Sequence, residues 1–203
     1  MKNIVRLAFM WICANTMAGN LNADITTTKG DLRDWEVVVE IAAKMHTELF
    51  EELEQVIRPG YLKQRMDALK EQVKNGELKL VCCYKDQECV GYCTFRIDKD
   101  SAYLCSCSHD EEKIENLEFK NVFLKHFANH YPEVIQLFLA DMFPDHNGPV
   151  MTKYRNRWSI FGFIQTDDPR AKLCIVDASK RDGAQGYVLT LSSEGDTDFN
   201  LPD

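Results

Sequence analysis

The stretch Asn147-Gly-Pro-Val-Met-Thr-Lys-Tyr-Arg-Asn-Arg-Trp-Ser-Ile-Phe-Gly162-Phe163 decides how this chain folds. It follows a mostly apolar run at residues 134–140, which is typical of a buried strand. The quoted residues then predict a polar turn, a short helix and a Gly-Phe stop, with a further strand-like segment beyond it. The rest of the chain is interpreted around this strand, turn and helix.

The segments before and after this stretch alternate between helical and strand patterns. Residues 24–29 are rich in Thr and predict a first strand, and residues 31–56 and 61–74 have the apolar spacing of two helices. Three strands at 78–84, 89–97 and 102–108 are separated by polar turns, which predicts an antiparallel meander. A helix at 119–130 precedes the buried strand. Two more strands are predicted at 172–177 and 186–191.

The first 23 residues differ from the rest. Lys2 and Arg6 precede a short apolar run, small residues follow, and the first acid is Asp24. This pattern predicts a signal peptide cleaved after Ala18 or Ala23, although an amphipathic first segment of a cytosolic protein is the alternative. We therefore divide the chain into a leader (1–23), one domain (24–192) and an acidic polar tail (193–203).

The net negative charge of the chain argues against two classes of binding partner, nucleic acids and anionic membranes. The 203 residues include 24 Lys and Arg against 32 Asp and Glu, so the net charge is −8. Nucleic acids and anionic membranes both require clustered basic residues. We therefore predict no nucleic-acid partner, and no stable membrane anchor once the leader is removed.

Eight cysteines and a pair of histidines suggest other chemistry. Seven cysteines follow the leader, and most lie in strand-like runs, where thiols usually act as small buried apolar groups. A bridge between neighbouring strands is the alternative if the protein is exported. His126 and His130 have the i,i+4 spacing of zinc-binding helices, but no third ligand is evident. Surface histidines are favoured, and no metal is predicted.

The order of the predicted elements resembles one acyltransferase family. It runs strand, two helices, three antiparallel strands, helix, strand, helix and two strands, and the last helix ends at Phe161-Gly162-Phe163. Over about residues 25–191 this is similar to the GNAT N-acetyltransferase superfamily. The resemblance implies an α/β fold of the α+β type: one domain with a mixed, mostly antiparallel central sheet flanked by helices. It also implies acetyl-CoA as a co-substrate.

The segment that would bind the cofactor departs from the family pattern. In GNAT enzymes the loop before the third helix is basic and rich in glycine, because glycines let backbone N–H groups approach phosphate oxygens. Here residues 108–117 contain four acids and no glycine. The resemblance implies that Cys105, Cys107, Asn116 and Asn147 bind the cofactor. Asn147 can instead cap the helix that follows it.

The catalytic position of the last helix also departs from the pattern. Many family members have a Tyr four residues before the terminal Gly, where its hydroxyl protonates the departing thiolate. Trp158 occupies that position here, and an indole N–H cannot serve as an acid. Tyr154, one turn earlier, is the predicted catalytic replacement. For the general base we favour Asp141 over His109 and Asp145.

Two functions follow from these observations. The first is an acyl-CoA-dependent N-acetyltransferase that acts on a small-molecule amine or a protein amine. The second is a catalytically inactive GNAT-like domain that acts as an exported binding or interaction protein, which the acidic loop and Trp158 both favour. The location is periplasmic or secreted if the leader is cleaved, and cytoplasmic otherwise.

Overall fold

The computed structural model describes residues 25–53 and 60–191. The predicted leader and the predicted acidic tail lie outside the described residues. The described part contains seven strands: β1 (Thr26–Lys29), β2 (Lys79–Lys85), β3 (Glu88–Asp98), β4 (Ser101–His109), β5 (Gln136–Asp141), β6 (Ile164–Thr166) and β7 (Gln185–Thr190). It contains four α-helices: α1 (Trp35–Leu53), α2 (Tyr61–Lys74), α3 (Asn116–His130) and α4 (Pro149–Ile160).

The strands form one sheet in the order β1-β2-β3-β4-β5-β7-β6. The central pair, β4 and β5, is parallel, and each of the other described neighbouring pairs is antiparallel. The middle of the chain folds as the predicted meander, because short polar turns join β2 to β3 and β3 to β4. A mixed, mostly antiparallel sheet is therefore confirmed.

Helices cover both faces of this sheet. The apolar stripes of α1 and α2 bury Trp35, Val38 and Leu69 against Tyr92 of β3. On the opposite face, α3 packs Phe127 against strand residues that include Phe95 and Leu137. The helical spacing read from the sequence therefore identifies the buried sides of these helices.

One predicted strand is wrong. Residues 172–177 were expected to form it, but Pro169–Cys174 is a 3-10 helix, and the strand beside β7 is β6. The Asp168 carboxylate accepts a hydrogen bond from the Arg170 N–H at 2.9 Å and starts this helix. Its buried residues are Ala171 and Cys174, three apart, which is a helical rather than a strand period.

The described cysteines agree with the expectation of core thiols, whereas His126 corrects the expectation of surface histidines. All seven cysteines of the described ranges are free thiols, six of them buried and Cys107 half-buried, as expected for core thiols. His126 is buried, not exposed, and its Nδ1 lies 2.9 Å from the Thr27 hydroxyl. Within the described ranges, no group of three or more His, Cys, Asp or Glu side chains is placed to hold a metal ion. No helix there is long and apolar enough to cross a bilayer.

Candidate active site

The central feature of the site is a cleft where β4 and β5 separate. The two strands pair over three residues each, from Ser101↔Gln136 to Tyr103↔Phe138. Beyond that point β4 continues to His109, while β5 stays paired with β7. The cleft has a volume of about 170 Å³ and is lined mainly by apolar side chains of β4, β5, α1, α2 and α4. Parallel strands that separate in this way leave room for an extended ligand between them.

A β-bulge lies on the cleft wall. Thr94 pairs with Ser106 and Phe95 pairs with Leu104, so Cys105 is an extra residue on β4. Bulges remove a residue from the ladder and commonly lie beside active sites. The carbonyl oxygen of Cys105 accepts a hydrogen bond of 2.9 Å from an Arg65 nitrogen on α2. The bulge therefore brings irregular backbone and a guanidinium to the cleft.

Helix α4, which belongs to the stretch that opened the sequence analysis, forms one wall of the cleft. Tyr154 and Trp158 both line the cleft, one helical turn apart. The helix ends as predicted, because Gly162 has a φ of +89° and the Phe163 N–H donates to the Trp158 carbonyl at 2.9 Å. Trp158 also packs edge-on against Tyr187 at a ring-centroid distance of 5.2 Å. Trp158 is thus a packing residue of the cleft wall, and Tyr154 lies beside it.

The start of α4 is capped from a distant helix. The N-cap residue is Gly148, so the expectation that Asn147 caps α4 is wrong. The two carboxylate oxygens of Glu52, on α1, accept the N–H groups of Val150 and Met151 at 2.9 and 3.1 Å. Burial acts to raise the pKa of Glu52, but these hydrogen bonds and His146 outweigh it and hold the pKa below its ordinary value. Because Glu52 lies about a hundred residues before α4, no local sequence pattern identifies this half-buried carboxylate as the cap.

Asp141 lies at the end of β5, on the cleft wall, and both of its oxygens are engaged. One accepts the Phe143 N–H at 2.8 Å, and the other accepts Arg155 Nε at 2.8 Å. Arg155 also donates to the carbonyl oxygens of Phe143 and Pro144. The pair fixes the turn that joins β5 to α4. A catalytic role for Asp141 stays a prediction, and as a base it would have to leave this pair.

The acidic loop between β4 and α3 is neutralised by cations from other elements. Both oxygens of Asp110 lie 3.1 Å from Lys44 Nζ of α1, and Glu112 lies 2.7 Å from the same nitrogen. Burial acts to raise the pKa of Asp110, but Lys44, the Glu112 N–H and Lys113 outweigh it and hold the pKa below its ordinary value. In the sequence the only cation among these four acids is Lys113. The fold brings further cations to the loop from positions far away in the chain.

Glu111 of the same loop pairs with α4. Its carboxylate contacts a guanidinium nitrogen of Arg157 and lies 3.7 Å from Lys153 Nζ. These three residues and Asn116 border a groove of about 760 Å³ between the start of α3 and α4. Arg157 is buried and lines both this groove and the cleft. The groove is therefore a place where two α4 cations already pair with a carboxylate.

His109 closes the inner end of the cleft. Its ring stacks on Phe119 at 4.6 Å, and it is 2% exposed. Burial, assisted by the nearby Arg157 charge, lowers the pKa of His109 to about 4 against opposing carboxylates. The imidazole is therefore neutral at pH 7. Its Nε2 is buried and has no hydrogen-bond partner within the described part of the chain.

The four residues predicted to bind the cofactor lie in three different places in the structure. Cys105 and Cys107 line the cleft, and Asn116 borders the groove. Asn147 lies on an exposed turn, where its side-chain oxygen accepts from Arg155 at 3.2 Å. A role in binding a cofactor stays a prediction for all four. Sequence reasoning missed Arg157, since a single Arg in a helix that also carries Arg155 has no distinguishing pattern.

A second cavity opens on the other side of the bulge. Its volume is about 400 Å³, and it shares Tyr61, Arg65 and Cys105 with the cleft. The far side is formed by residues 174–177 and Lys180. Arg65 and Lys180 give this cavity two positive charges. The Asp177 carboxylate on its rim accepts both the N–H and the hydroxyl of Ser179.

Comparison with known proteins gives likeness of structure and not of sequence. No protein-family model matches the chain, and no curated protein matches it by sequence. Among solved structures, an acetyltransferase from Thermus thermophilus has a TM-score of 0.57 at 16% identity, with 82% of this chain and 97% of that chain covered. The PaiA N-acetyltransferase of Thermoplasma acidophilum, in complex with coenzyme A, has a TM-score of 0.55 at 13% identity, with 83% and 99% covered.

A third structure, a GNAT-family acetyltransferase from Staphylococcus aureus, gives a TM-score of 0.56 at 12% identity, with 83% and 99% covered. The chain therefore has the GNAT acyltransferase fold, and the predicted fold class is confirmed. At these identities the likeness concerns the fold, while the chemistry has to be argued from this chain's own residues.

Proposed function

We propose that this protein transfers an acyl group from an acyl-CoA to an amine. The observation that carries the proposal is the separation of β4 and β5 at the Cys105 bulge, which opens a cleft between two cavities. Such a cleft suits a long, thin donor whose reactive end must meet a second substrate from the other side. The solved structures of similar fold named above are acetyltransferases, and one contains coenzyme A.

The residues present suit such a donor in two places. The apolar cleft is matched to the thin acyl-pantetheine arm, and the groove beside it offers Lys153 and Arg157 to phosphate oxygens. Glu111 now pairs with both cations, so a phosphate would replace its carboxylate there. The phosphate contacts would therefore come from side chains of α4, in place of the glycine-rich loop that the family usually has.

In the proposed reaction the amine nitrogen attacks the thioester carbonyl, and the carbon–sulfur bond breaks. In this reaction, backbone N–H groups beside the bulge would polarise the carbonyl oxygen. The departing thiolate takes a proton, for which Tyr154 is the predicted donor, because its phenol lies on the cleft wall. The amine must arrive without its proton, and nearby cations lower the pKa of an amine.

The second cavity favours a particular kind of acceptor. Arg65 is half-buried beside the bulge, and Lys180 lies across the cavity from it. A guanidinium in such a position binds a carboxylate well. We therefore expect small amines that also carry a carboxylate to be better acceptors than the same amines without one.

Release of the free CoA thiol from acetyl-CoA tests the function directly. It is measured with amino acids and with the matching amines that lack the carboxylate. We expect amine-dependent thiol release, with a lower KM for the amino acids. Arg65→Gln should raise that KM about tenfold or more, while Lys63→Gln, which removes an exposed charge from the same helix, should not. Absence of amine-dependent thiol release with any acceptor would overturn the proposal.

A catalytically inactive, exported binding domain is the second candidate. The Glu111–Arg157 ion pair favours it, because an internal carboxylate already pairs with the cation that a phosphate would need. Export itself is tested by the mass of the native protein, which should begin at Gly19 or Asp24 if the leader is cleaved. An intact Met1 would contradict export.

A further inference from the structure

Two cysteines are directly opposite each other on neighbouring strands and lie on the same face of the sheet. Cys93 of β3 and Cys107 of β4 are direct partners in the antiparallel register. Residues paired in this way lie on the same face, with Cα atoms about 4.5 to 5.5 Å apart. That spacing is within the range of about 4.4 to 6.8 Å seen in disulfides. The backbone therefore already has the geometry that a bridge requires.

The two thiols differ in access. Cys93 is fully buried, and burial, followed by a hydrogen bond with the Cys107 thiol, raises the pKa of Cys93 well above its ordinary value. Cys107 is half-buried and lines the cleft. A reagent that enters the cleft therefore meets Cys107 first, and finds Cys93 directly behind it.

The other described cysteines lack either a partner thiol on the neighbouring strand or access through the cleft. Cys82 and Cys89 interact closely, but both belong to the core between α1, α2 and the sheet. Cys83 is buried beside Val90, and none of these three cysteines lines the cavities described above. Cys105 and Cys174 line cavities, yet their thiols donate to the carbonyl oxygens of Tyr103 and Phe138 and are not register partners. A partner thiol and access through the cleft are combined at Cys107.

We propose that Cys93 and Cys107 form a thiol-oxidation site that a small disulfide entering the cleft converts to a cross-strand disulfide. The Cys107 thiolate attacks one sulfur of the small disulfide, and the other half leaves as a thiolate. The sulfur of Cys93 then attacks the Cys107 sulfur and expels the second half. The two protein protons end on the two released thiols, so the protein is oxidised and the small disulfide is reduced.

The state of this pair depends on the compartment. Small disulfides are abundant in oxidising environments and scarce in the cytosol. An exported form of this protein would therefore carry the bridge, and a cytosolic form would keep both thiols. The inference concerns the chain's own sulfur atoms and does not rest on the proposed acyl transfer.

The test uses the full-length reduced protein and oxidised glutathione, followed by intact-mass measurement. We expect Cys93 and Cys107 of wild type to lose two hydrogen atoms between them and to gain no glutathione. Trypsin leaves Cys89 with Cys93, and Cys105 with Cys107, in single peptides. Fragment-ion spectra and serine variants are therefore needed to assign the bridge.

Three variants distinguish the outcomes. Cys93→Ser should hold one glutathione on Cys107 as a stable mixed disulfide, and Cys107→Ser should give neither product at this site. Cys82→Ser, in the inaccessible pair, should still form the bridge. A stable glutathione adduct on wild-type Cys107, no reaction of wild type, or a bridge between other cysteines would overturn the proposal. Circular dichroism of each variant before oxidation confirms that it is folded.

Discussion

Glu52 Oε2 accepts a hydrogen bond of 2.9 Å from the backbone N–H of Val150, 98 residues away in the chain. Its other oxygen accepts the Met151 N–H, so one carboxylate on α1 satisfies two free donors at the start of α4. The same bonds set the position of the helix that carries Tyr154. We expect Glu52→Gln to lower the Tm by about 2–4 °C, the usual effect of losing one helix cap in a domain of this size.

Two further variants make the Glu52 prediction specific. Glu51→Gln removes an exposed neighbouring carboxylate and should leave the Tm unchanged. A Cβ on Gly148 would collide with the Glu52 carboxyl group. Gly148→Ala should therefore act through the same cap and add little to Glu52→Gln in the double variant. Fully additive shifts in Tm, measured by calorimetry, would disprove a shared mechanism.

The buried ion pair at the end of β5 predicts a loss of stability. Asp141→Asn keeps an oxygen for the Phe143 N–H but leaves the Arg155 guanidinium without its opposite charge. We expect the free energy of unfolding to fall by about 2–4 kcal/mol, measured by urea denaturation. Asp145→Asn, on the exposed loop, is the matched control.

The same variant tests the catalytic role predicted for Asp141. The proposed reaction obtains a neutral amine from nearby cations, so kcat of folded Asp141→Asn should fall less than tenfold. A general base at this position requires a far larger fall, of about 10² or more. Measurement well below the unfolding temperature separates the two effects.

The buried His109 makes stability depend on pH. Its pKa is about 4 in the folded protein, against an ordinary value of 6.5, so the unfolded chain binds its proton first as the pH falls. Stability should therefore drop between pH 6.5 and pH 4, by on the order of 3 kcal/mol from this group. His109→Gln should reduce the slope of that part of the profile of unfolding free energy against pH. Burial, assisted by the nearby His130, also lowers the pKa of His126 to about 4, so a similar slope from His126 should remain in His109→Gln and disappear in the double variant His109→Gln/His126→Gln.

Tyr154 is the residue on which the proposed proton transfer depends. Tyr154→Phe keeps the ring on the cleft wall and removes the hydroxyl. We expect kcat to fall by about 10² or more, with little change in the KM for acetyl-CoA. The pH profile of kcat should lose its alkaline limb in this variant. An unchanged kcat would remove Tyr154 from the mechanism.

Most of the fold could be predicted from the sequence, because its elements carry strong periodic signals. Helix α2 has the predicted bounds of Tyr61–Lys74, and the three strands of the meander lie within about one residue of their predicted ends. The error at residues 172–177 arose from an apolar run too short to distinguish a strand from a helical turn. There the Asp168 cap decided the outcome.

The site was harder to predict, because its determinants come from distant parts of the chain. The acidic loop was visible in sequence, but the cations that neutralise it, Lys44, Lys153 and Arg157, lie on α1 and α4. The cap of α4 was assigned to Asn147 from local rules, whereas Glu52 fills that role through tertiary contact. Local patterns determine elements, and only the packed fold determines which charges meet.

Calorimetric titration of acetyl-CoA tests the central claim most directly, which is that the cleft between β4 and β5 holds the donor. Ala140 lines both the cleft and the second cavity, so Ala140→Trp should fill the passage between them. Ala128→Trp, at an exposed position on α3, is the matched control. We predict saturable binding by wild type and Ala128→Trp, and at least tenfold weaker binding by a folded Ala140→Trp. No binding by wild type at millimolar acetyl-CoA, or equal binding by all three proteins, would contradict the account.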